Sequence, residues 1–342
     1  SLRRRQRQMC IRDRVGVGGA GNNTITRLTQ VGIVGAETIA VNTDAQDLLF
    51  SEADYKLLIG RELTKGFGAG GDPRIGEEAA KESKEDVKKA LEGADMVFIT
   101  CGLGGGTGTG ASPIIAEVAR KLGALTIGVV TLPFSMEGRV RMRNAKLGFE
   151  NLRKHVDTLI VIPNDKLLEV VPDVSLITGF KICDEILVNT VKGTVELITK
   201  PGLVNLDFAD IRAVMQNSGM ALIGLGESSS KNRAIESVEK ALNHPLMVVN
   251  VDGAKGALIN VMGGQDITIK EANQVVELIA NRIDPEAKII WGAQIDPAMK
   301  EKLRVFLIVT GVSFEFEEGF ISETAKVLPM KIDKELGIEV IE

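Results

Sequence analysis

Gly102-Leu103-Gly104-Gly105-Gly106-Thr107-Gly108-Thr109-Gly110 is the stretch on which the reading of this chain turns. It follows the apolar run Met96–Cys101 and precedes a helical pattern over Ile114–Leu122. A buried strand, a glycine run and a helix in that order read as a phosphate cradle. Without Cβ atoms, backbone amides can approach an anion closely, and a helix N-terminus adds unpaired N–H groups and a favourable dipole. A flexible glycine linker does not fit a run set between a strand and a helix that both need burial. The run also fails to match G-x-x-x-x-G-K-[ST], which excludes a P-loop nucleotide triphosphatase.

Outward toward the N-terminus lies a second glycine loop, Gly16-Val17-Gly18-Gly19-Ala20-Gly21-Asn22-Asn23, which contains a G-x-G-x-x-G match. Alone it fits either a dinucleotide site or a tight strand-to-helix turn. A nicotinamide site wants an acid at the end of the second strand, whereas Val41-Asn42-Thr43-Asp44 offers an Asn first and an Asp two residues late. Two cradles at one sheet edge suit a single long polyphosphate better than a dinucleotide.

Around these loops, apolar strands alternate with helical segments. Strands are expected at Thr38–Val41, Lys56–Ile59, Met96–Cys101, Leu125–Thr131 and Thr158–Ile162, and helices at Gly76–Glu92, Ile114–Leu122 and Met142–Lys154. Continuously apolar strands separated by helices predict an α/β, doubly wound parallel sheet with its ligand at the strands' carboxyl ends. A long central helix is expected over 174–198, with Gly179 and Gly193 as interruptions, ending at Thr199-Lys200-Pro201-Gly202. Strands at Leu222–Gly226, Val248–Val251, Ala257–Met262, Lys288–Gln294 and Leu303–Thr310, with helices at Asp207–Asn217, Ala234–Asn243 and Ile269–Ile283, form a smaller α+β C-terminal domain. The expected divisions are an atypical segment 1–14, a nucleotide domain 15–173, a central helix and linker 174–202, an α+β domain 203–312 and a tail 313–342.

The first segment does not belong with the rest. Ser1–Arg14 is arginine-rich, and Met9-Cys10-Ile11-Arg12-Asp13-Arg14 puts charges where the first buried strand should run. It reads either as a basic arm or as foreign sequence replacing the start of that strand, and the second reading is preferred.

Composition excludes several functions. The net charge of −5 and pI near 5.4 argue against a dedicated nucleic-acid binder. Cys10, Cys101 and Cys183 are too few and scattered for a disulfide framework or zinc site, and they fit a reducing, cytoplasmic setting. His155 and His244 are the only histidines, so neither a histidine metal site nor a Ser-His triad is expected. No apolar run approaches the ~18 residues needed to span a membrane, and any membrane role would work through a partner.

Gly104–Gly110, GGGTGTG, resembles the signature of the tubulin/FtsZ superfamily. Further segments resemble its FtsZ branch in the same order: Asn42-Thr43-Asp44-Ala45-Gln46, Gly66-Phe67-Gly68-Ala69-Gly70-Gly71, Thr131-Leu132-Pro133-Phe134, Ile162-Pro163-Asn164-Asp165-Lys166-Leu167 and Asn205-Leu206-Asp207-Phe208-Ala209-Asp210. The resemblance runs from Val15 to about Val312, and Thr178-Gly179-Phe180-Lys181 with the short C-terminus looks archaeal rather than bacterial.

The resemblance implies a GTPase that binds GTP or GDP with Mg²⁺ held mainly by the phosphates. Gly19, Ala20, Gly21, Asn22 and Asn23 would join Gly104, Gly105, Gly106, Thr107, Gly108, Thr109 and Gly110 around the α- and β-phosphates. Ala69, Gly70 and Gly71, with Thr43 and Asp44, would sense the γ-phosphate, although Asp72 stands where the family pattern has Asn. Glu137 and Arg141 match ribose and phosphate contacts. Asn164, Phe180 and Asp184 would serve the base: Phe180 and Asp184 lie one helical turn apart, so an aromatic stack and a carboxylate acceptor for guanine share a face.

Asp207 and Asp210 read locally as an N-cap and a first-turn acid. By resemblance their loop enters the nucleotide site of the next subunit and orients the attacking water, so copies polymerise head-to-tail. Expected besides are a mid-cell division role, a membrane-anchoring partner for the tail peptide Lys331–Glu342, and neither nucleic-acid binding nor direct membrane insertion. The alternatives are a filament protein for cell shape and a nicotinamide-dependent oxidoreductase using Gly16–Gly21.

Overall fold

The computed structural model describes residues 14–32, 37–166, 176–199, 202–204, 206–247 and 251–313. The arginine-rich residues before Arg14, the strand expected from Val248, the side chain of Phe180 and the peptide Lys331–Glu342 lie outside the described residues. The chain divides into two compact units, residues 14–130 with 143–156, and 131–142 with 157 onward.

The first unit carries strands β1 (Arg14–Val17), β2 (Thr38–Asn42), β3 (Tyr55–Leu58), β4 (Met96–Gly102) and β5 (Leu125–Leu132), in the spatial order β3-β2-β1-β4-β5. β1 runs parallel to both β2 and β4, with Val15 opposite Ile39 and Ile99. Every residue of β5 is buried, as a parallel strand covered on both faces requires. Helices α1 (Gly18–Val31), α2 (Ala45–Phe50), α3 (Arg61–Thr64), α4 (Pro73–Glu82), α5 (Lys84–Ala90), α6 (Thr107–Lys121) and, from Arg143, α7 (Arg139–His155) complete it. The doubly wound parallel arrangement is therefore observed.

Two local expectations need correction. The helix expected over Gly76–Glu92 is two helices broken at Ser83, whose hydroxyl accepts a hydrogen bond from the Gly60 amide (3.0 Å). The GGGTGTG run is not all loop, because α6 already begins at Thr107. Its glycines are low in helix propensity, but the first turn of a helix leaves amides without intrahelical partners, and here that first turn is what the fold needs.

The second unit orders its strands β6-β7-β10-β8-β9: β6 (Thr158–Pro163), β7 (Gly219–Ser228), β10 (Leu303–Thr310), β8 (Gly256–Gly263) and β9 (Lys288–Ile295). The β6–β7 and β8–β9 pairs are parallel and β10 is antiparallel to both its neighbours, which makes a mixed sheet. Its helices are α8 (Leu176–Thr199), α9 (Phe208–Met215), α10 (Arg233–Leu242) and α11 (Ile269–Ala280). α8 is uninterrupted over 24 residues, so Gly179 and Gly193 do not break it. Gly193 has a packing reason instead: a Cβ there would meet the Phe306 ring at 3.0 Å.

Candidate nucleotide site

In the first unit the candidate phosphate loops follow the carboxyl ends of β1, β2 and β4. α1 opens at Gly18 and α6 at Thr107, and neither N-terminus receives a side-chain cap. The first amides of a helix have no intrahelical partner, so two neighbouring starts that are rich in glycine and lack a capping side chain leave donors free for an anion.

The loops are locked together by missing side chains. A Cβ on Gly18, whose φ is +71°, would lie 2.9 Å from the Gly108 amide nitrogen. One on Gly108 would lie 2.8 Å from the Gly102 carbonyl, and one on Gly110 would overlap the Pro73 carbonyl at 1.9 Å. Gly105, Gly70 and Gly71 differ, since a Cβ at any of them would meet nothing within 4 Å. These three present bare backbone to open space, a cradle with room for phosphate oxygens.

The linking residues are polar. The buried Thr43 hydroxyl pairs with that of Thr107 at 2.6 Å and its amide donates to Asn42 Oδ1 at 2.9 Å. Asp44 N-caps α2 through Oδ1, which accepts from the Gln46 (2.9 Å) and Asp47 (3.1 Å) amides. Gly19, Ala20 and Asn23 are exposed, Gly21 is buried, and Ala69 is buried beside the exposed Gly70 and Gly71. Asn22 is 1 % exposed, yet its Oδ1 and Nδ2 have no protein partner. Buried amides are nearly always hydrogen-bonded, so this one fits a site completed by a ligand.

Asn144 adds a link that the sequence does not signal. From α7 its Nδ2 donates to the Gly71 carbonyl at 3.3 Å and to the Gly104 carbonyl at 3.5 Å, tying the two loops together. Nothing in the local pattern of an amphipathic helix marks that asparagine. Cys101, beneath the loops, is fully buried, and burial pushes its thiol up to about 12, which makes it unreactive.

In the second unit, Glu137 ends a single 3₁₀ turn and is ion-paired with Arg141, while its Oε1 accepts from the Phe134 amide at 2.8 Å. Asp165 holds the same turn by accepting from the Ser135 amide (3.1 Å) and hydroxyl (2.5 Å). That brings the Glu137 turn and Asn164 together. Asn164 is buried just beyond β6, with its Oδ1 lacking a protein partner. Asp184 is half-buried on α8.

Asp207 and Asp210 form a reciprocal capping box. Asp207 Oδ1 accepts from the Asp210 amide (2.8 Å), and Asp210 Oδ2 accepts from the Asp207 amide (3.1 Å). Each keeps a second carboxylate oxygen. The preceding segment bridges to β9 through Val204 and Ala293. β9 lies four strands from β6, about 19 Å at ordinary strand spacing. The helix they open ends against the start of β6, where the Thr158 hydroxyl donates to the Met215 carbonyl (2.5 Å); Asn164 follows the opposite end of that strand. Within this unit the acid pair and Asn164 therefore occupy different places.

A family model described as Tubulin/FtsZ family, GTPase domain, matches residues 14–172, and one described as FtsZ family, C-terminal domain, matches residues 219–313. Fold and family match together define a GTPase, and the glycine-rich starts of α1 and α6 are its candidate phosphate cradles. The chain is 61% identical over 303 residues to Cell division protein FtsZ 1 of Methanocaldococcus jannaschii, covering 89% of this chain and 83% of that protein. It is 58% identical to Cell division protein FtsZ 1 of Thermococcus kodakarensis, covering 93% and 87%. The solved structure titled "FtsZ dimer, empty (M. jannaschii)" superposes with a TM-score of 0.85 at 60% identity, covering 90% of this chain and 89% of that one. The chain belongs to the tubulin/FtsZ family, in its FtsZ branch, and acts as a cell-division GTPase. The oxidoreductase alternative is set aside by that membership.

Proposed function

We propose that this protein binds GTP through its two glycine cradles, polymerises head-to-tail, and hydrolyses GTP where the Asp207/Asp210 loop of one copy meets the nucleotide of the next. The observation that carries the first part is the pair of uncapped helix starts packed back to back, with Gly105, Gly70 and Gly71 open. Gly19–Asn23 and Gly104–Gly110 hold the α- and β-phosphates through backbone amides. Ala69–Gly71 contacts the γ-phosphate, and Thr43 braces this face through Thr107. Asp44 caps α2 through Oδ1 alone and keeps Oδ2 beside Gly68, from where it serves the γ-phosphate side of the site. Glu137 and Arg141 serve the ribose and phosphates, a role their match to the family pattern supports. Asn164, Phe180 and Asp184 read the base, the carboxylate accepting from the N1–H and 2-amino group that guanine has and adenine lacks. Mg²⁺, when bound, offsets charge on the β- and γ-phosphates.

The separation of the acid pair from Asn164 supports hydrolysis in trans. Acids fixed in a capping box have little freedom to travel, and each retains an unused oxygen able to orient water. A head-to-tail contact does not close on itself, so it builds a filament. The "FtsZ dimer" and the "GTPgS bound protofilament" of a Haloferax volcanii relative are assemblies of similar folds. The filament works in the cytoplasm at mid-cell, attached through the Lys331–Glu342 peptide to a membrane-anchoring partner, a reading that the chain's likeness to cell-division proteins supports. Among the described residues no helix is long and apolar enough to cross a membrane.

Asp210→Asn tests the shared site while retaining a group able to accept the capping bond. It should bind GTP as the parent does and hydrolyse it at least about a hundredfold more slowly. Parent activity should rise more steeply than protein concentration, and traces of the variant should poison it. Activity strictly proportional to concentration, with the variant an inert bystander, would show that each subunit hydrolyses GTP alone.

A further inference from the structure

The loop assigned to the γ-phosphate ends on an acid, which is an unfavourable neighbour for a triphosphate. Asp72 follows Gly71 directly and N-caps α4, accepting from the Arg74 amide at 2.9 Å. Its backbone nitrogen and carbonyl oxygen lie 3.0 and 3.1 Å from the place a Cβ on Gly106 would take, so it stands against the GGGTGTG cradle. Backbone amides carry only partial charge and cannot cancel a full carboxylate. Left alone, Asp72 would repel the last phosphate while barely affecting a diphosphate that does not extend so far.

Asp72 is not alone. Arg74 Nε lies 3.1 Å from its Oδ1 and 3.2 Å from its Oδ2, and Nη2 lies 2.7 Å from Oδ2. The fork holds the carboxyl below the usual carboxylate range. The Arg74 side chain is otherwise 88 % exposed, and an exposed pair of this kind adds little to fold stability. A two-residue separation at a helix start leaves the guanidinium beside the loop, and among the described residues Asp72 is the acid it is ion-paired with.

We infer that Arg74 is a specificity-determining residue for the third phosphate: by neutralising Asp72 it lets the Gly70–Gly71 loop accept a triphosphate. The inference rests on the assignment of that loop to the γ-phosphate. It also explains how an acid is tolerated where the family pattern has an amide.

The test measures GDP and GTPγS binding, by displacement of a fluorescent guanine nucleotide with Mg²⁺ present at low ionic strength. The full chain is compared with Arg74→Gln, Asp72→Asn and the double variant. Asn is as good an N-cap as Asp, so α4 keeps its start in the Asp72 variants. Arg74→Gln should leave GDP affinity unchanged and weaken GTPγS about tenfold, with the loss shrinking as salt is raised. Adding Asp72→Asn should restore GTPγS affinity to within about twofold of the parent, a rescue that a purely structural role would not produce. Equal weakening of both nucleotides, no weakening, or no rescue would overturn the inference while leaving the nucleotide site standing. Failure of the parent chain to bind either nucleotide would overturn both.

Discussion

Replacing Arg14 with isoleucine should stabilise the protein substantially. Arg14 opens β1 at the centre of a parallel sheet, paired in register with Thr38 on one side and Phe98 on the other. It is 1 % exposed, and its Nε and Nη2 have no hydrogen-bond partner. Burial pulls its pKa down to about 10 even though the Asp54 carboxylate pulls it up, because Asp54 is already engaged by the Thr38 amide and hydroxyl, both at 2.8 Å. Free arginine titrates above about 12, so at neutral pH the buried charge destabilises the fold by on the order of 3 kcal/mol. Isoleucine removes that term, suits a strand covered on both faces and leaves no donor orphaned. Allowing for lost methylene packing, the gain should be about 2–3 kcal/mol, a rise in melting temperature of roughly 4–10 °C for units of this size. The sign with pH follows from the unfolded chain holding the arginine proton more tightly than the folded one. The penalty is complete below about pH 10 and is relieved above it, so the gap between parent and variant should be flat from about pH 6 to 9. Thermal melts followed by far-UV circular dichroism check this, with Arg14→Gln as a control that leaves a buried amide in place. An unchanged or lowered melting temperature for Arg14→Ile would refute the reasoning.

The glycine assignments predict a contrast: Gly110→Ala, whose methyl would overlap the Pro73 carbonyl, should lower the melting temperature, whereas Gly105→Ala should melt like the parent but bind GTP more weakly, as calorimetry would show. Equal tolerance of both would contradict the packing role. His244, whose Nδ1 accepts from the Leu246 amide at 3.3 Å, is pulled down by burial to about 4. The unfolded chain binds that proton first, so stability should fall as pH drops from about 6.5 toward 4, and His244→Gln should flatten that limb in urea-denaturation midpoints.

Much of the fold was legible before any coordinates. Strand β5, expected at Leu125–Thr131, runs from Leu125 to Leu132, because a short, mostly apolar run rich in β-branched residues suits a buried strand. β10 was placed at Leu303–Thr310 for the same reason and has those bounds. The helices were less sharply bounded. α6 starts seven residues earlier than Ile114, since glycine and threonine signal loop by propensity while the close packing of Gly108 and Gly110 holds them helical.

The sequence by itself determined the family, the alternation of strands and helices, and the residue types that can meet a phosphate, because periodicity and a seven-residue glycine signature are local properties of the chain. Tertiary structure alone decided the division of labour among those residues. Gly105 and Gly110 are interchangeable letters in GGGTGTG, yet one faces open space and the other is pressed against Pro73. Asn144 joins Gly71 across 73 residues of chain, and Thr43 meets Thr107 across 64. Asp207 and Asp210 turn out to be held in a mutual box, and Arg14 inside a sheet that Thr38 and Phe98 complete. Each outcome depends on which distant segment packs against the residue, and a local pattern carries no record of that partner until the chain has folded.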